Sequence, residues 1–466
     1  MERSETIRRV AIVGGGLAGL AAGCALADAG LQVTLFERRP YLGGRASSYD
    51  HPGTGEVVDN CQHLLLGCCT NLIHFYERLG VSSKIRWFDE MTFIEPGGRA
   101  SRVAPSFLPA PLHNATSFLR AHHLSLRDKL AIGRAFAAMI RPAQDDSDEN
   151  FRHWLQRHGQ TERAVERFWK PILTSALNED LERMSVRHSI QVFRKSFLKS
   201  AAAGRIGLPS VPLSELYSSA SDYVRARGGQ VLLRNAVTSL CPRADSVKIS
   251  GSAGEQDFDI AVLAVPFQTA ASLLPQEPQA EPVKTNLEHF EPSPITGIHL
   301  WFDREITPLP HAVLLDRTIQ WMFQKSKFQQ DGLRDGPGSY VELVVSASKT
   351  LVQKSREEIL ELAQRELAEF FPEVNGAKVL KAAVIKEIYA TYAILPGLDR
   401  YRPGAKTVWA RLFLAGDWTA TEWPATMEGA VRSGYLAAEA ITESAGQARE
   451  FLVADLPATG LMRLSN

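Results

Sequence analysis

The chain has 466 residues, of which 45% are hydrophobic and 22% charged, so it can bury the cores of two or three domains. Its 52 basic and 52 acidic residues cancel, which argues against nucleic acid as a partner. Five cysteines without a C-x-x-C pair argue against a disulfide framework or a metal site and favour a reducing compartment.

The chain starts without an apolar leader-like stretch, and no run reaches the ~18 apolar residues of a membrane-spanning helix. We therefore expect a cytoplasmic protein that can also lie on the inner face of the cell membrane. The oligomeric state is left open by the sequence.

The first predicted elements form a βαβ unit. Arg9–Val13 is a short, β-branched apolar strand, Leu17–Ala29 is an alanine-rich helix, and Gln32–Glu37 is a second strand. The turn between strand and helix is rich in glycine, and this pattern is typical of dinucleotide-binding folds.

Gly14, Gly16 and Gly19 have the G-x-G-x-x-G spacing in that turn. The first glycine permits a tight turn, the second lets a pyrophosphate approach the backbone, and the third lets helix and strand pack closely. Leu17 and Ala18 open the helix, whose free N–H groups favour phosphate oxygens.

Glu37 ends the second strand, where its carboxylate can accept hydrogen bonds from a ribose. The same acid disfavours NADP, because a carboxylate repels a 2′-phosphate. Arg38 follows directly and is assigned to the same site. Glycines, helix and acid together predict a dinucleotide site.

Two later segments help to choose between FAD and NAD. Gly43, Gly44 and Arg45 suit a second approach to the pyrophosphate, where the guanidinium can offset charge. Gly416 and Asp417 follow a short apolar strand, and the carboxylate can bind a polyol hydroxyl. Both features fit FAD.

The remaining elements alternate less regularly. Further helices are predicted at Asn71–Leu79, Arg127–Ile140, Asn150–Arg157, Thr161–Trp169, Leu213–Arg227, Ser355–Phe371 and Met427–Ser444. Further strands are predicted at Gln230–Leu233, Ile260–Pro266, between Ile295 and Val345, and at Leu412–Ala415. Loop-rich or irregular stretches are predicted at Pro96–Pro111, Asp145–Glu149, Asp331–Gly338 and Ala390–Tyr401.

Met427, Glu428 and Ala430 open the last long helix, whose N-terminus can face an electron-rich flavin edge. With the elements above, this segment resembles the glutathione-reductase-like flavoproteins, in particular their amine-oxidase and phytoene-desaturase branch. The resemblance implies non-covalent FAD and a backbone contact of Val237 with the adenine side.

The resemblance also implies an α/β fold in which a Rossmann-type FAD-binding domain is interleaved with an α+β substrate domain. We assign residues 1–80, 213–285 and 402–445 to the FAD-binding domain. Residues 81–212 and 286–401 are assigned to the substrate domain, and 446–466 to a docking tail.

A narrower likeness links Val58–Gly67 and Ala415–Ser433 to the hydroxysqualene dehydroxylases of bacterial hopanoid synthesis. That family uses reduced FAD to replace the hydroxyl of hydroxysqualene with hydrogen, and its usual pattern has glycine in place of Cys61. The likeness predicts conversion of hydroxysqualene to squalene, with an external electron donor. His63 is predicted as the acid or orienting group, and Asp59 in the same segment is predicted as the second catalytic residue.

Two other functions stay open. One is an oxidative flavoenzyme, either a carotenoid-type desaturase or an amine oxidase, in which Trp418 and Trp423 could flank the flavin. The other is a prenyl-binding or lipid-binding escort protein without a cofactor, which the intact glycine and acid pattern disfavours.

A C30 isoprenoid needs a long apolar cavity. Its predicted lining is Phe107, Leu108, Leu112, Phe118, Leu119, Phe193, Phe197, Leu198, Trp301, Phe302, Trp321 and Phe323. Pro105–Leu119 is predicted to form an entry lip on a membrane. Because net charge is near zero, we expect membrane binding to depend more on apolar contact than on anionic lipid.

Overall fold

A computed structural model describes residues 7–140, 148–329 and 338–465 of the chain. The loop predicted at Asp331–Gly338 lies outside the described residues except for Gly338, and so does most of the turn predicted at Asp145–Glu149. None of the helices in the described residues is long and apolar enough to cross a membrane.

The strands alternate with helices at both ends of the chain and dominate its second half. They are β1 Arg9–Val13, β2 Gln32–Glu37, β3 Ser48–Asp50, β4 Val57–Asp59, β5 Leu65–Leu66, β6 Ile85–Phe88, β7 Met91–Ile94, β8 Ala100–Val103, β9 Ile206–Pro209, β10 Gln230–Leu233, β11 Val237–Pro242, β12 Val247–Gly251, β13 Gly254–Phe258, β14 Ile260–Leu263, β15 Pro292–Phe302, β16 His311–Leu314, β17 Trp321–Gln324, β18 Ser339–Ser346, β19 Val379–Tyr392 and β20 Leu412–Leu414.

The helices are α1 Leu17–Asp28, α2 Thr70–Arg78, α3 Ala115–Arg120, α4 Leu126–Ile140, α5 Phe151–Arg157, α6 Glu162–Ala164, α7 Lys170–Leu177, α8 Val186–Lys195, α9 Leu213–Arg225, α10 Phe267–Leu273, α11 Glu281–Leu287, α12 Arg356–Phe370 and α13 Met427–Ser444. A π-helical turn, Val165–Trp169, joins α6 to α7 within the helix predicted over Thr161–Trp169.

Two predicted irregular stretches contain strands. Strand β8 lies inside Pro96–Pro111 and pairs antiparallel with β7, and β19 continues to Tyr392 before the chain becomes irregular. Both strands are stabilised by pairing with other strands, which the local sequence pattern does not show. Residue type along the strand therefore did not reveal them.

A five-stranded parallel sheet has the order β10-β2-β1-β14-β20. Its strands come from the N-terminal, middle and C-terminal parts of the chain. Helix α1 is buried almost all round and crosses α13 in close contact, because a Cβ at Gly434 would lie 2.3 Å from the Ala18 carbonyl oxygen. This contact brings the N-terminal halves of α1 and α13 to the same part of the molecule.

A seven-stranded sheet has the order β19-β15-β18-β17-β16-β7-β8. One face packs against α12, and its strands alternate in side-chain direction with period two. Trp321 and Phe323 therefore point into one hydrophobic cluster, whereas Met322 between them points into the other. The domain boundaries assigned from the sequence remain a proposal.

The C-terminal segment lies on the body of the protein. Glu439 accepts the Phe451 N–H at 2.7 Å, and Asn71 in α2 accepts the Val453 N–H at 2.9 Å. Further on, the Leu461 N–H donates to the Ala110 carbonyl at 2.8 Å. The tail thus packs against α13, α2 and the segment before α3.

Candidate functional site

A cavity of about 420 Å³ lies at the carboxyl ends of the parallel strands. Gly14 follows β1, Glu37 ends β2, Ala264 follows β14 and Gly416 lies just beyond β20, and all four line it. In open parallel sheets this edge is where ligands bind, because the loops that leave it surround a crevice.

The three glycines of the first turn have different surroundings. Gly14 has φ +113°, and a Cβ there would lie 2.4 Å from the Ala264 carbonyl oxygen. A Cβ at Gly19 would lie 2.0 Å from the Gly14 oxygen, which is the close helix–strand packing predicted for this position, and Gly19 does not line the cavity. Gly16 does line it, and the atom nearest to a Cβ there is the Gly44 Cα at 3.9 Å.

The second glycine pair lies directly against the first turn. The Gly43 N–H donates to the Gly15 carbonyl at 2.9 Å, and Gly43 and Gly44 both have positive φ. Leu17 and Ala18, at the start of α1, complete this wall of the cavity. A backbone surface without side chains next to a helix N-terminus fits a pyrophosphate.

Glu37 is buried and holds the loops on either side of it. Its Oε2 accepts the Gly15 N–H at 2.7 Å and its Oε1 accepts the Arg39 N–H at 2.7 Å. A carboxylate has about four acceptor sites, so a ribose hydroxyl can still bind to it. Arg38 and Val237, two further residues predicted to bind the cofactor, also line the cavity.

Arg45 and Asp417 line the cavity but pair with each other. Arg45 Nη2 donates to Asp417 Oδ1 at 2.6 Å, and Nη1 donates to the Ala390 carbonyl at 3.0 Å. We expected Arg45 to offset pyrophosphate charge and Asp417 to bind a polyol hydroxyl. The ion pair offsets the guanidinium charge and positions both side chains in the wall, so their contacts with pyrophosphate and polyol stay predictions.

The N-terminus of α13 faces the cavity through Met427, Glu428 and Ala430. Thr426 caps the helix by accepting the Gly429 N–H at 3.1 Å. The Glu428 carboxylate, however, makes its hydrogen bonds away from the cavity.

The Glu428 side chain is fully buried and binds the start of α2. It accepts the N–H groups of Asn71 at 3.1 Å and Leu72 at 2.7 Å, and it pairs with Arg432 at 2.7 Å. Glu428 therefore joins the N-termini of α13 and α2. It was predicted to bind the cofactor, but its carboxylate makes a structural contact at the cavity wall.

His63 lies in the cavity wall and is half-buried. Its Nδ1 is 2.7 Å from the Cys61 carbonyl oxygen, which can only accept, so Nδ1 carries the proton. Burial lowers the pKa of His63 below its ordinary value. The ring is thus neutral at pH 7 with Nε2 as an acceptor, which suits a base better than the acid that we predicted.

Asp59 does not line the cavity and does not orient His63. Its Oδ1 accepts from Ser48 Oγ at 2.6 Å and from the Leu213 N–H at 3.1 Å, and its Oδ2 pairs with Lys325. The ammonium of Lys325 lowers the pKa of this buried carboxyl against the opposing effect of desolvation. The predicted catalytic role for Asp59 is therefore not supported, and the residue is a buried structural link.

Lys325 also contacts Glu342 at 2.8 Å, and both side chains are fully buried. Burial raises the pKa of Glu342 to about 7, and the nearby Asp59 charge adds to this effect, whereas the Lys325 ammonium opposes it.

Glu387 lines the cavity and was missed in the sequence analysis. It accepts from Asn60 Nδ2 at 2.9 Å, so a carboxylate from β19 and an amide from the segment after β4 share one wall. The two residues are 327 positions apart. No local sequence signal could have joined them.

The predicted apolar lining separates into three groups. Trp321 and Phe323 line the cavity, together with Leu64, Leu66 and Ile295. Phe193 and Leu198 are buried in the same hydrophobic cluster as Trp321, and Phe118 and Phe197 pack against that cluster, whereas Trp301 and Phe302 belong to other clusters. Phe107, Leu112 and Leu119 are exposed, and Leu108 is half-buried outside the lining.

The tryptophans considered for an amine-oxidase-like pair are not equivalent. Trp423 lines the cavity, but Trp418 is fully buried outside it, with its Nε1–H donating to the Val265 carbonyl at 2.9 Å. The pair that an amine oxidase would use is not formed by these two residues.

The glycine surface, Glu37 and the two helix N-termini define a dinucleotide-binding flavoprotein site. The chain belongs to the flavin containing amine oxidoreductase family, whose pattern matches residues 17–442. Membership implies FAD as the cofactor and confirms the mixed α/β fold with its Rossmann-type sheet. The protein is an FAD-dependent oxidoreductase.

Among relatives of known function, the chain is 28% identical to 15-cis-phytoene desaturase of Synechococcus elongatus, over 93% of this chain and 95% of the relative. It is 27% identical to zeta-carotene desaturase of Synechocystis, over 95% and 98%. These names support the oxidative alternative more than the dehydroxylation that the sequence analysis put first.

Solved structures share the fold at lower identity. Cyclohexylamine oxidase from Brevibacterium oxydans is 16% identical with a TM-score of 0.65, covering 94% of this chain and 99% of that one. An oxidoreductase from Methanosarcina mazei is 17% identical with a TM-score of 0.71, covering 93% and 100%.

Proposed function

We propose that the protein uses FAD to oxidise a long isoprenoid hydrocarbon, forming a carbon–carbon double bond. When bound, FAD supplies a two-electron acceptor for a hydride from one carbon. The neighbouring carbon must lose a proton. An external electron acceptor must then reoxidise the flavin.

The apolar part of the cavity wall supports a hydrocarbon substrate. Leu64, Leu66, Ile295, Trp321 and Phe323 offer shape and apolar surface but no ionic partner. An isoprenoid chain is held by apolar burial alone, whereas the charge of an ammonium substrate would need a carboxylate partner, which this apolar part of the wall does not offer.

The state of His63 is the observation that carries the direction of the reaction. A neutral ring with Nδ1–H bound to the Cys61 carbonyl presents Nε2 as a proton acceptor. Among the described residues, no side chain or backbone group hydrogen-bonds to Nε2. Desaturation needs such an acceptor, whereas removal of a hydroxyl needs a proton donor.

Reductive dehydroxylation of hydroxysqualene is the second candidate. It is favoured by one observation: Asn60–Leu66, part of the segment that carries the likeness to dehydroxylases, lines the cavity. In that case an external donor would reduce the flavin, and the proton would have to come from a group other than neutral His63.

Anaerobic half-reactions distinguish the two. Oxidised holoenzyme is mixed with phytoene or squalene, and reduced holoenzyme with hydroxysqualene. We expect bleaching of oxidised flavin and a product with one more double bond in the first arm. Reoxidation of reduced flavin with squalene as product in the second arm alone would establish dehydroxylation. A protein that binds these chains but turns over in neither arm would be an escort protein.

A further inference from the structure

One surface of the protein exposes an unusual share of large apolar side chains. Eleven such residues are exposed among the described residues, and six belong to this surface: Phe107, Leu112, Leu119, Leu126, Leu130 and Leu461. Phe107 is 94% exposed and Leu126 is 67% exposed. We call this surface, residues 107–134 with 461–463, the basic apolar face.

Contacts between its segments make the face continuous. The Leu461 N–H donates to the Ala110 carbonyl, and Lys129 Nζ donates to the Leu119 carbonyl at 2.7 Å. Leu126 and Leu130 are four residues apart on α4 and therefore share one side of that helix. The exposed leucines of the tail, α3 and α4 thus belong to adjoining elements.

The charges on this face have one sign. Arg120, Arg127 and Arg134 are exposed beside the leucines. Asp128 is the sole acidic residue between positions 96 and 140. It is buried, and its carboxylate is taken up by the Ser125 N–H at 2.7 Å and by Thr161. The positive charge is therefore not neutralised within the segment, although the whole chain is neutral.

We propose that the basic apolar face docks on an anionic lipid bilayer. Leucines interleaved with arginines on short helices suit the boundary between headgroups and acyl chains, where the side chains insert and the guanidinium groups remain with anionic headgroups. The local charge amends the expectation, drawn from net charge, that anionic lipid would matter little.

Packed aromatic side chains connect the face with the cavity wall. Phe118 of α3 packs edge-to-face on Phe168 at 5.5 Å, and Phe168 stacks on Phe193 at 6.0 Å. Val192, the neighbour of Phe193, lines the cavity. That substrate enters from this side of the protein rests on the proposed function, whereas docking itself does not.

Vesicle co-sedimentation of holoenzyme, without substrate, tests the docking. Vesicles of phosphatidylcholine alone are compared with vesicles containing phosphatidylglycerol, at low and high salt. We expect stronger binding to the anionic vesicles, weakened by salt. Each arginine near an anionic surface contributes roughly fivefold to partitioning, so R120E/R127E should lower it by about 25-fold or more. L126S/L130S should lower binding to both vesicle types by about 100-fold if both leucines insert fully, and by at least about tenfold if they insert in part.

Matched controls use exposed residues elsewhere: R225E/R365E for charge and L380S/V408S for apolar side chains. Both controls should bind like the wild type, and thermal unfolding should show all variants folded. Equal binding to neutral and anionic vesicles, or equal losses in the controls, would overturn the proposal. So would a wild-type dimer that L126S/L130S converts to a monomer, since a second copy would then cover the face. Failure of the desaturase assay leaves this outcome unaffected.

Discussion

Arg45 and Asp417, 372 positions apart, form an ion pair at 2.6 Å in the cavity wall. The pair joins the loop after β2 to the loop after β20, two strands that are separated in the parallel sheet by β1 and β14. The Asp417 side chain is 6% exposed and that of Arg45 is 31% exposed. Removal of one partner would leave a poorly solvated charge without compensation.

A double-mutant cycle tests the pair. Asp417→Asn and Arg45→Met should each destabilise the protein by about 1–3 kcal/mol. The double variant should lose less than the sum, with a coupling energy of about 0.5–3 kcal/mol in denaturant unfolding. Additive losses would mean that the two residues act independently, with Arg45 reserved for a cofactor phosphate.

Gly16 and Gly19 should respond differently to alanine. A methyl group at Gly16 meets no atom closer than 3.9 Å, so Gly16→Ala should fold normally while its side chain obstructs the pyrophosphate and FAD affinity falls. Gly19→Ala places a methyl 2.0 Å from the Gly14 oxygen and should destabilise the fold by about 1–3 kcal/mol. Thermal unfolding of the apoprotein measures the effect on the fold, and FAD titration measures the effect on cofactor affinity. Equal destabilisation by the two substitutions would contradict the different roles assigned to Gly16 and Gly19.

Glu37→Ala should weaken FAD retention by about 1–3 kcal/mol, since it removes a ribose acceptor and leaves the Gly15 and Arg39 N–H groups unpaired. Glu37→Gln keeps one acceptor and should lose less. Exposed Glu288→Ala is the control. FAD occupancy after dilution and gel filtration is the measurement, and full retention by Glu37→Ala would exclude Glu37 as a ribose ligand.

The pH dependence of turnover should reflect His63. Because the pKa of His63 is lowered, the ring stays neutral as the pH falls through the range in which an ordinary histidine is protonated. The kcat/KM for oxidation should therefore fall only at lower pH, where Nε2 becomes protonated. His63→Ala should slow flavin reduction by about 10²–10⁴-fold without changing the flavin spectrum. The exposed His122→Ala variant should behave like wild type. An acidic rate optimum would instead indicate a protonated donor.

Three buried histidines predict acid sensitivity of the fold. Burial lowers the pKa of His299 to about 3 and the pKa values of His123 and His311 to about 4. The unfolded chain binds protons near pH 6.5, so stability is fully present above that pH and falls as the pH drops toward 4. Glu342, with its pKa raised to about 7, opposes this trend but is a single group.

Thermal unfolding from pH 7 to pH 4 measures this loss. His311 packs edge-to-face on Phe88 with both ring nitrogens unpaired, so His311→Phe should flatten the pH dependence of the melting temperature. An unchanged slope in this variant would show that His311 titrates normally in the folded protein.

The sequence by itself determined the nucleotide-binding half of the site. The G-x-G-x-x-G turn, β1, β2, Glu37 and α13 follow from local patterns, because a tight turn, a helix N-terminus and an acid at a strand end act over short stretches of chain. The helix predicted at Ser355–Phe371 likewise begins within one residue of α12, where Ser355 and Glu358 form a capping box.

Only the tertiary structure decided how the side chains are used. Arg45 pairs with Asp417, Glu428 binds the start of α2, Asp59 pairs with Lys325, and Glu387 enters the cavity wall. A buried charge takes whichever partner the fold brings within hydrogen-bonding distance, and those partners lie hundreds of positions away. Residue type and spacing therefore predicted the candidate cofactor site, whereas the distribution of charge and protons within it depended on long-range packing.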